Sequence, residues 1–227
     1  MIAGPAAGEA ALPGSEVAVA DYLTDPEAIY RRSFALARAA CDLSAFPGDL
    51  AELVVRLVHA YGEPEIAKDI AWSGDPVAAG TSALKSGAPI LADCNMVAAG
   101  ITPRLLPLSN PVVVTLEEPG VKSLAKAEGK TRSMVSVDLW QPHLAGALVA
   151  IGNAPTALFR LLELLDEGAP RPAAILAFPV GFVGAAESKR ALAEARLEIP
   201  YVTLHGRRGG SALAAAAVNA LAILARP

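Results

Sequence analysis

The sequence predicts an α/β domain, a three-layer α/β/α sandwich around a five-stranded parallel sheet with an added helical portion at the N-terminus. Three observations predict it. From residue 89 onward, five short apolar runs alternate with segments of helical spacing; before residue 89 the apolar residues recur only at helical spacing; and 227 residues, 53% hydrophobic and 19% charged, suit one domain with an ample core.

Taken in order, residues 1–20 read as a flexible Ala/Gly/Pro tail and 21–227 as a single domain. The tail lacks the basic and apolar regions of a secretory signal, and no run of 18 apolar residues survives elsewhere without Gly, Pro or charge. Asp25-Pro26 places a capping acid before a proline at the first helical position, and Ile29, Tyr30, Phe34, Leu36 and Ala37 carry that helix to about Cys41. In GDLAELVVRLVHAYG, the residues Leu50, Leu53, Val54, Leu57, Val58 and Tyr61 form an amphipathic stripe. A third helix runs from the Asp75-Pro76 cap to Gly87, a residue suited to the left-handed position after a helix.

The five apolar runs are PILADC, NPVVVTL, LAGALVAIG, PAAILAFPV and IPYVTLHG. Helices are expected over 118–128, 131–141, 155–167 and 184–195, with an Ala-rich closing helix from Ser211. Parallel strands need crossovers and are covered on both faces, so the expected fold is flavodoxin-like.

Charge and composition exclude some partners. The net charge of −4 gives no overall reason to expect nucleic acid or an anionic membrane, so any anion must be held by local groups. Two cysteines, Cys41 and Cys94, make neither a metal motif nor a disulfide framework; they read as small core residues in a reducing cytoplasm.

In open α/β sheets, ligands bind beyond the carboxyl ends of the strands. Gly152-Asn153-Ala154-Pro155-Thr156 stands at such an end, and Asn153 and Thr156 offer hydrogen bonds there; Asn153 also suits an ordinary helix cap. The next strand ends in Gly181-Phe182-Val183-Gly184, where glycines allow a backbone to approach a ligand. The last ends in His205-Gly206-Arg207-Arg208-Gly209-Gly210, an anion site by charge and position, without phosphate-loop or dinucleotide spacing. Three histidines exhaust the imidazole chemistry. His143 falls at the amino end of the sheet, His205 at a carboxyl end. His59, four residues after Val55, reads as a partly buried and hydrogen-bonded helix residue. No Ser-His-Asp triad or zinc spacing can be assembled from them.

The stretches AIYRRSFALARA, VVRLVHA, SGAPILAD, GKTRSM, LAGALVAIGNAPTALFRLLELL, GAPRPAAILAFPVGFVGAAESK and GRRGGSALAAAAVNALA closely resemble the precorrin-8X methylmutases of cobalamin biosynthesis, over about residues 21 to 223. The resemblance implies a homodimer and an intramolecular methyl shift from C-11 to C-12 on ring C of a corrin precursor. It implies no organic cofactor or metal. It places the family's catalytic histidine on His59, its substrate-contacting serine on Ser33 and its arginine on Arg132; Thr102 also matches, although Pro103 stands where an arginine is usual. A broad macrocycle edged with carboxylates suits the strand ends: Gly181 and Gly184 for close approach, Phe182 and Val183 as apolar floor, and Asn153, Thr156, Arg132, Arg207 and Arg208 as donors. A cobalt-containing precursor, a non-catalytic tetrapyrrole-binding protein and a nucleotide-binding enzyme are the competing readings.

Overall fold

The computed structural model describes residues 22–226, so the expected tail lies outside the described residues. Two helices come first, α1 over Pro26–Ala39 and α2 over Gly48–Tyr61. The Asp25 carboxylate caps α1 as expected, accepting the Glu27 and Ala28 amides. The α2 stripe is buried at Leu50, Leu53, Val54, Leu57 and Val58, each such side chain worth roughly 1.5–3 kcal/mol of burial. After α2 a 3-10 turn over Pro64–Asp69 leads into β1, Ile70–Ser73, and then α3, Pro76–Lys85. Gly87 follows at φ +79°, as its position required.

The remaining elements alternate: β2 (Ile90–Ala92), α4 (Asn95–Gly100), β3 (Val112–Val113), α5 (Val121–Glu128), α6 (Arg132–Asp138), β4 (Leu148–Ile151), α7 (Pro155–Asp166), β5 (Ala174–Ala177), α8 (Ala185–Glu194), β6 (Tyr201–Leu204) and α9 (Ser211–Leu224). The sheet order is β1-β6-β5-β4-β2-β3. Its five parallel strands thus stand in the order second, first, third, fourth, fifth, the flavodoxin-like arrangement, and the order reverses between β2 and β4.

The sheet has six strands rather than the five expected. The extra one, β1, pairs antiparallel with β6, Ile70 opposite Leu204. Its four residues follow a 3-10 turn and form an edge, so they carry no long apolar run. The short α4 was also not expected, being only six residues ending in glycine.

Strand residues alternate between two cores. Leu148, Ala150, Leu176 and Val202 face α2, α3, α4 and α9, whereas Val149, Ile151, Ile175 and Ala177 face the α7 side. The Ala-rich α9 is almost wholly buried between the sheet and α2. It lies close enough to the end of β4 that a Cβ on Gly152 would stand 2.7 Å from Ser211 Cα. Among the described residues no helix is long and apolar enough to cross a membrane.

Candidate active site

The loop after β4 is shaped by backbone hydrogen bonds. Ala154 is the residue before α7 and makes no side-chain cap, which overturns the reading of Asn153 as a cap. The Gly152, Asn153 and Ala154 amides instead all donate to the Asp93 carboxylate at the end of β2, at 2.9, 2.9 and 2.8 Å. Asn153 keeps an exposed side chain. Thr156, in the first turn of α7, accepts a hydrogen bond from Thr131 Oγ1 at 2.9 Å, and Thr131 also caps α6. That contact brings Arg132, the first residue of α6, to the same edge. Its guanidinium is exposed and pairs with Glu117.

The loop after β5 lies against this one, since a Cβ on Gly184 would stand 3.2 Å from Pro155 Cβ. Gly181 and Gly184 both have positive φ, +142° and +80°, which glycine adopts without strain. Between them Phe182 and Val183 are 87% and 89% exposed, an apolar pair held out into solvent. The loop after β6 is clasped to it. Gly181 N–H donates to the Arg207 carbonyl at 3.2 Å, Gly210 N–H to that of Phe178 at 2.8 Å, and Lys189 Nζ to that of Arg208 at 2.5 Å. A Cβ on Gly209 would stand 2.6 Å from the Pro179 carbonyl oxygen, so only glycine fits.

The two arginines of that loop part company. Arg207 is exposed and its guanidinium lies 5.5 Å from the centre of the Phe182 ring. Arg208 turns inward to Glu63 at 3.2 Å and to Asp69, which keeps its guanidinium protonated and ties the loop to the turn after α2. His205 is exposed.

Those ion pairs place the end of α2, and with it His59, at the carboxyl edge of the sheet. His59 was expected to be partly buried; it is exposed. The α2 stripe faces α9, but His59 sits off that stripe in the last turn, where its ring meets Ser33 and Phe34 of α1. Ser33 Oγ is 2.9 Å from His59 Nδ1, and the Phe34 ring stacks on the imidazole with centroids 4.3 Å apart. Phe34 in turn has the Arg56 guanidinium 5.0 Å from its centre. A pocket of about 260 Å³ opens beside His59, lined by Ser33, Leu36, Ala37, Val58 and Pro64. A larger hollow of about 400 Å³ lies at the opposite edge, where Asp49 and Asp75 line it with negative charge unsuited to a polycarboxylate.

Thr102 is not brought to this cluster. Its amide donates to Asn219 Oδ1, about two turns down α9 from Ser211. Among the described residues no three His, Cys, Asp or Glu side chains stand together as a metal-ligand set. Sequence patterns passed over Asp93 and Lys189, both fully or almost fully buried at this edge. Burial raises the Asp93 carboxyl above the ordinary carboxylate range against the pull of its three backbone donors. Burial first, and Arg208 second, lower the Lys189 ammonium to about 8.

A family model described as precorrin-8X methylmutase matches residues 28–224. The chain is 56% identical to the precorrin-8X methylmutase of Pseudomonas aeruginosa over 202 residues, 89% of this chain and 97% of that one. It is 35% identical to the cobalt-precorrin-8 methylmutase of Priestia megaterium, covering 88% of each. A crystal structure of a precorrin-8X methylmutase from Thermus thermophilus superposes with a TM-score of 0.79 at 39% identity, covering 88% of this chain and 96% of that one. The chain belongs to the precorrin-8X methylmutase family.

Proposed function

We propose that this isomerase of cobalamin biosynthesis moves a methyl group from C-11 to C-12 of ring C in precorrin-8X, giving hydrogenobyrinate, with His59 as the proton donor. The observation that carries the proposal is the setting of His59. Its Nδ1 is occupied by Ser33, its ring face is held by Phe34, and its Nε2 has no hydrogen-bond partner among the described residues. As imidazolium, the ring gives Nδ1–H to Ser33 Oγ and presents Nε2–H to the macrocycle. A proton delivered there leaves the conjugated system electron-poor where the methyl must land. Substrate and product are isomers, so the proton lent is recovered from the macrocycle and mass is unchanged. General acid help of this kind is worth roughly 10²- to 10⁴-fold.

The exposed Phe182 and Val183 suit the flat apolar face of a corrin precursor, and Asn153, Arg132 and Arg207 suit its peripheral carboxylates. Thr156, already accepting from Thr131, and Arg208, already paired, act by holding the site together. Metal-free rather than cobalt-containing precursor is the substrate we favour, because identity to the Pseudomonas relative far exceeds that to the cobalt-precorrin-8 methylmutase of Priestia.

We also infer a homodimer. Among the nine α-helices of the described residues, α1 alone buries no residue, and it exposes Leu23 just before it and Ile29, Tyr30 and Leu36 along it. Leu23, Ile29 and Leu36 line an apolar hollow that shares Ser33 and Leu36 with the pocket beside His59. Sedimentation should give twice the chain mass at micromolar concentration, and a monomer there would remove the inference.

The test is incubation with metal-free and with cobalt-containing precorrin-8 separately, read by absorbance and product mass. The spectrum should change with the metal-free compound at constant mass. A change in mass would overturn the isomerase, and binding without spectral change would turn the reading to a tetrapyrrole carrier.

A further inference from the structure

Asp93 stands at the carboxyl end of β2, next to the end of β4, where the strand order reverses. It is 1% exposed. Its Oδ1 accepts the Gly152 amide and its Oδ2 those of Asn153 and Ala154, so three consecutive N–H groups converge on one carboxylate. The groups beside it are neutral: the Cys94 thiol, and beyond that the Ser211 hydroxyl, 3.5 Å from Cys94 Sγ. Among the described residues no cation offsets its burial. A structural filler at this place would be apolar, like Ala92 and Ala150 on the adjoining strands, both 0% exposed. The chain instead buries a charge, and all of its hydrogen bonds from the backbone go to one loop.

That loop has no other hold of its kind. Ala154 makes no side-chain cap on α7, and the Gly152 position is crowded by Ser211, Ala214 and Val97 on the face away from solvent. Shifting any of the three amides would turn the Asn153 side chain. We propose that Asp93 is a positioning residue for the reaction, fixing the backbone of Gly152–Ala154 so that the Asn153 side chain meets a polar group on the rim of the substrate. An asparagine at 93 cannot replace it, because it offers one acceptor oxygen and sets an N–H₂ donor against amides that are themselves donors. Protonation of the carboxyl has a similar effect, converting one acceptor oxygen to a hydroxyl.

Two experiments decide. The kinetic one rests on the methyl-shift reading and compares D93N, N153A and the double variant in conversion of metal-free precorrin-8. D93N should lower kcat/KM about 10- to 100-fold, the loss expected when one or two charge-assisted hydrogen bonds go. Because Asp93 acts through Asn153, the double variant should be no worse than the more impaired single variant. Additive losses, or full activity in N153A, would overturn the proposal. The second needs no variant and no substrate. Amide exchange of the wild-type protein, corrected for intrinsic rates, is followed from pH 7 toward pH 4. The three backbone donors hold the carboxyl pKa down against its burial, so an opening that frees the amides while Asp93 stays covered raises that pKa, and protection at Gly152, Asn153 and Ala154 should fall several-fold in that range while protection in β5 holds. Unchanged protection in the loop would overturn the proposal even if D93N fails to fold. A wild-type protein inactive on precorrin-8 would count against the methyl shift alone.

Discussion

Replacing Lys189 by methionine keeps an unbranched side chain one atom shorter and removes the amine, so it isolates what the buried charge does. Lys189 is 0% exposed, and its recorded partner is the Arg208 carbonyl at 2.5 Å. Burial, and then the nearby Arg208, bring its pKa from 10.5 down to about 8. The folded protein therefore holds the proton less tightly than the unfolded chain. Below pH 8 both states are protonated and the full penalty of burying the ammonium is present. As pH rises from 8 to 10.5 the folded state sheds its proton first, and the penalty disappears. At about 1.4 kcal/mol per pH unit this is about 3 kcal/mol, so stability attributable to Lys189 should rise with pH across that window.

The assay is urea unfolding of wild type and K189M at several pH values from 7 to 10.5, followed by tryptophan fluorescence. Titrations of other groups, Tyr201 included, are common to both proteins and cancel in the difference. The wild type should gain about 3 kcal/mol on K189M over the window, about 1–2 M in midpoint for an m-value near 2 kcal/mol/M. Parallel curves would refute the reasoning. Because the amine also pins the Arg208 carbonyl, K189M should raise KM through a loosened 205–210 loop, while kcat changes little.

His59→Ala should remain folded, since the side chain is exposed, yet lose roughly 10²- to 10⁴-fold in kcat; His205→Ala should lose far less, and single-turnover conversion by both checks it. Full activity in the His59 variant would defeat the assignment. Arg132→Ala should raise KM more than it lowers kcat, because an exposed arginine paired with Glu117 is free to exchange that partner for a substrate carboxylate; steady-state kinetics showing the reverse would give Arg132 a part in the methyl shift.

Much of the fold was legible because buried parallel strands and amphipathic helices leave strong local patterns. The runs ending at Cys94, Gly152 and Val180 mark three adjacent strand ends, and the Asp25 and Asp75 caps mark two helix starts. What escaped was either short or distant. The edge strand β1 has four residues, and α4 has six. Asp93 meets its amides across 59 to 61 residues of sequence, and nothing local marks it as more than the end of a strand. Nothing local marks Lys189 as buried either, because its partner, the Arg208 carbonyl, comes from the loop after β6. His59 shows a different limit. Periodicity tells which way a side chain faces but not what a neighbouring helix brings to it, and the contacts of the His59 ring come from Ser33 and Phe34 of α1.

The site divides into two parts that differ in how firmly they are held, and the division matches what an isomerase needs. At the strand ends, buried groups of both signs pin the loops: Asp93 from β2 and Lys189 from α8, with Gly209 packed against the Phe178 and Pro179 carbonyls. On the proposed function, substrate contacts made there hold substrate and transition state about equally, so they set affinity. His59 and Ser33 lie instead where α1 meets α2, and α1 buries none of its residues. A group that gives up and regains a proton in each turnover gains from such a place, because a dry core disfavours its charged form. On the proposed chemistry, the one interaction that strengthens as the methyl moves is the proton at Nε2. Substitutions at the pinned loops should therefore register mainly in KM, and substitutions around His59 mainly in kcat.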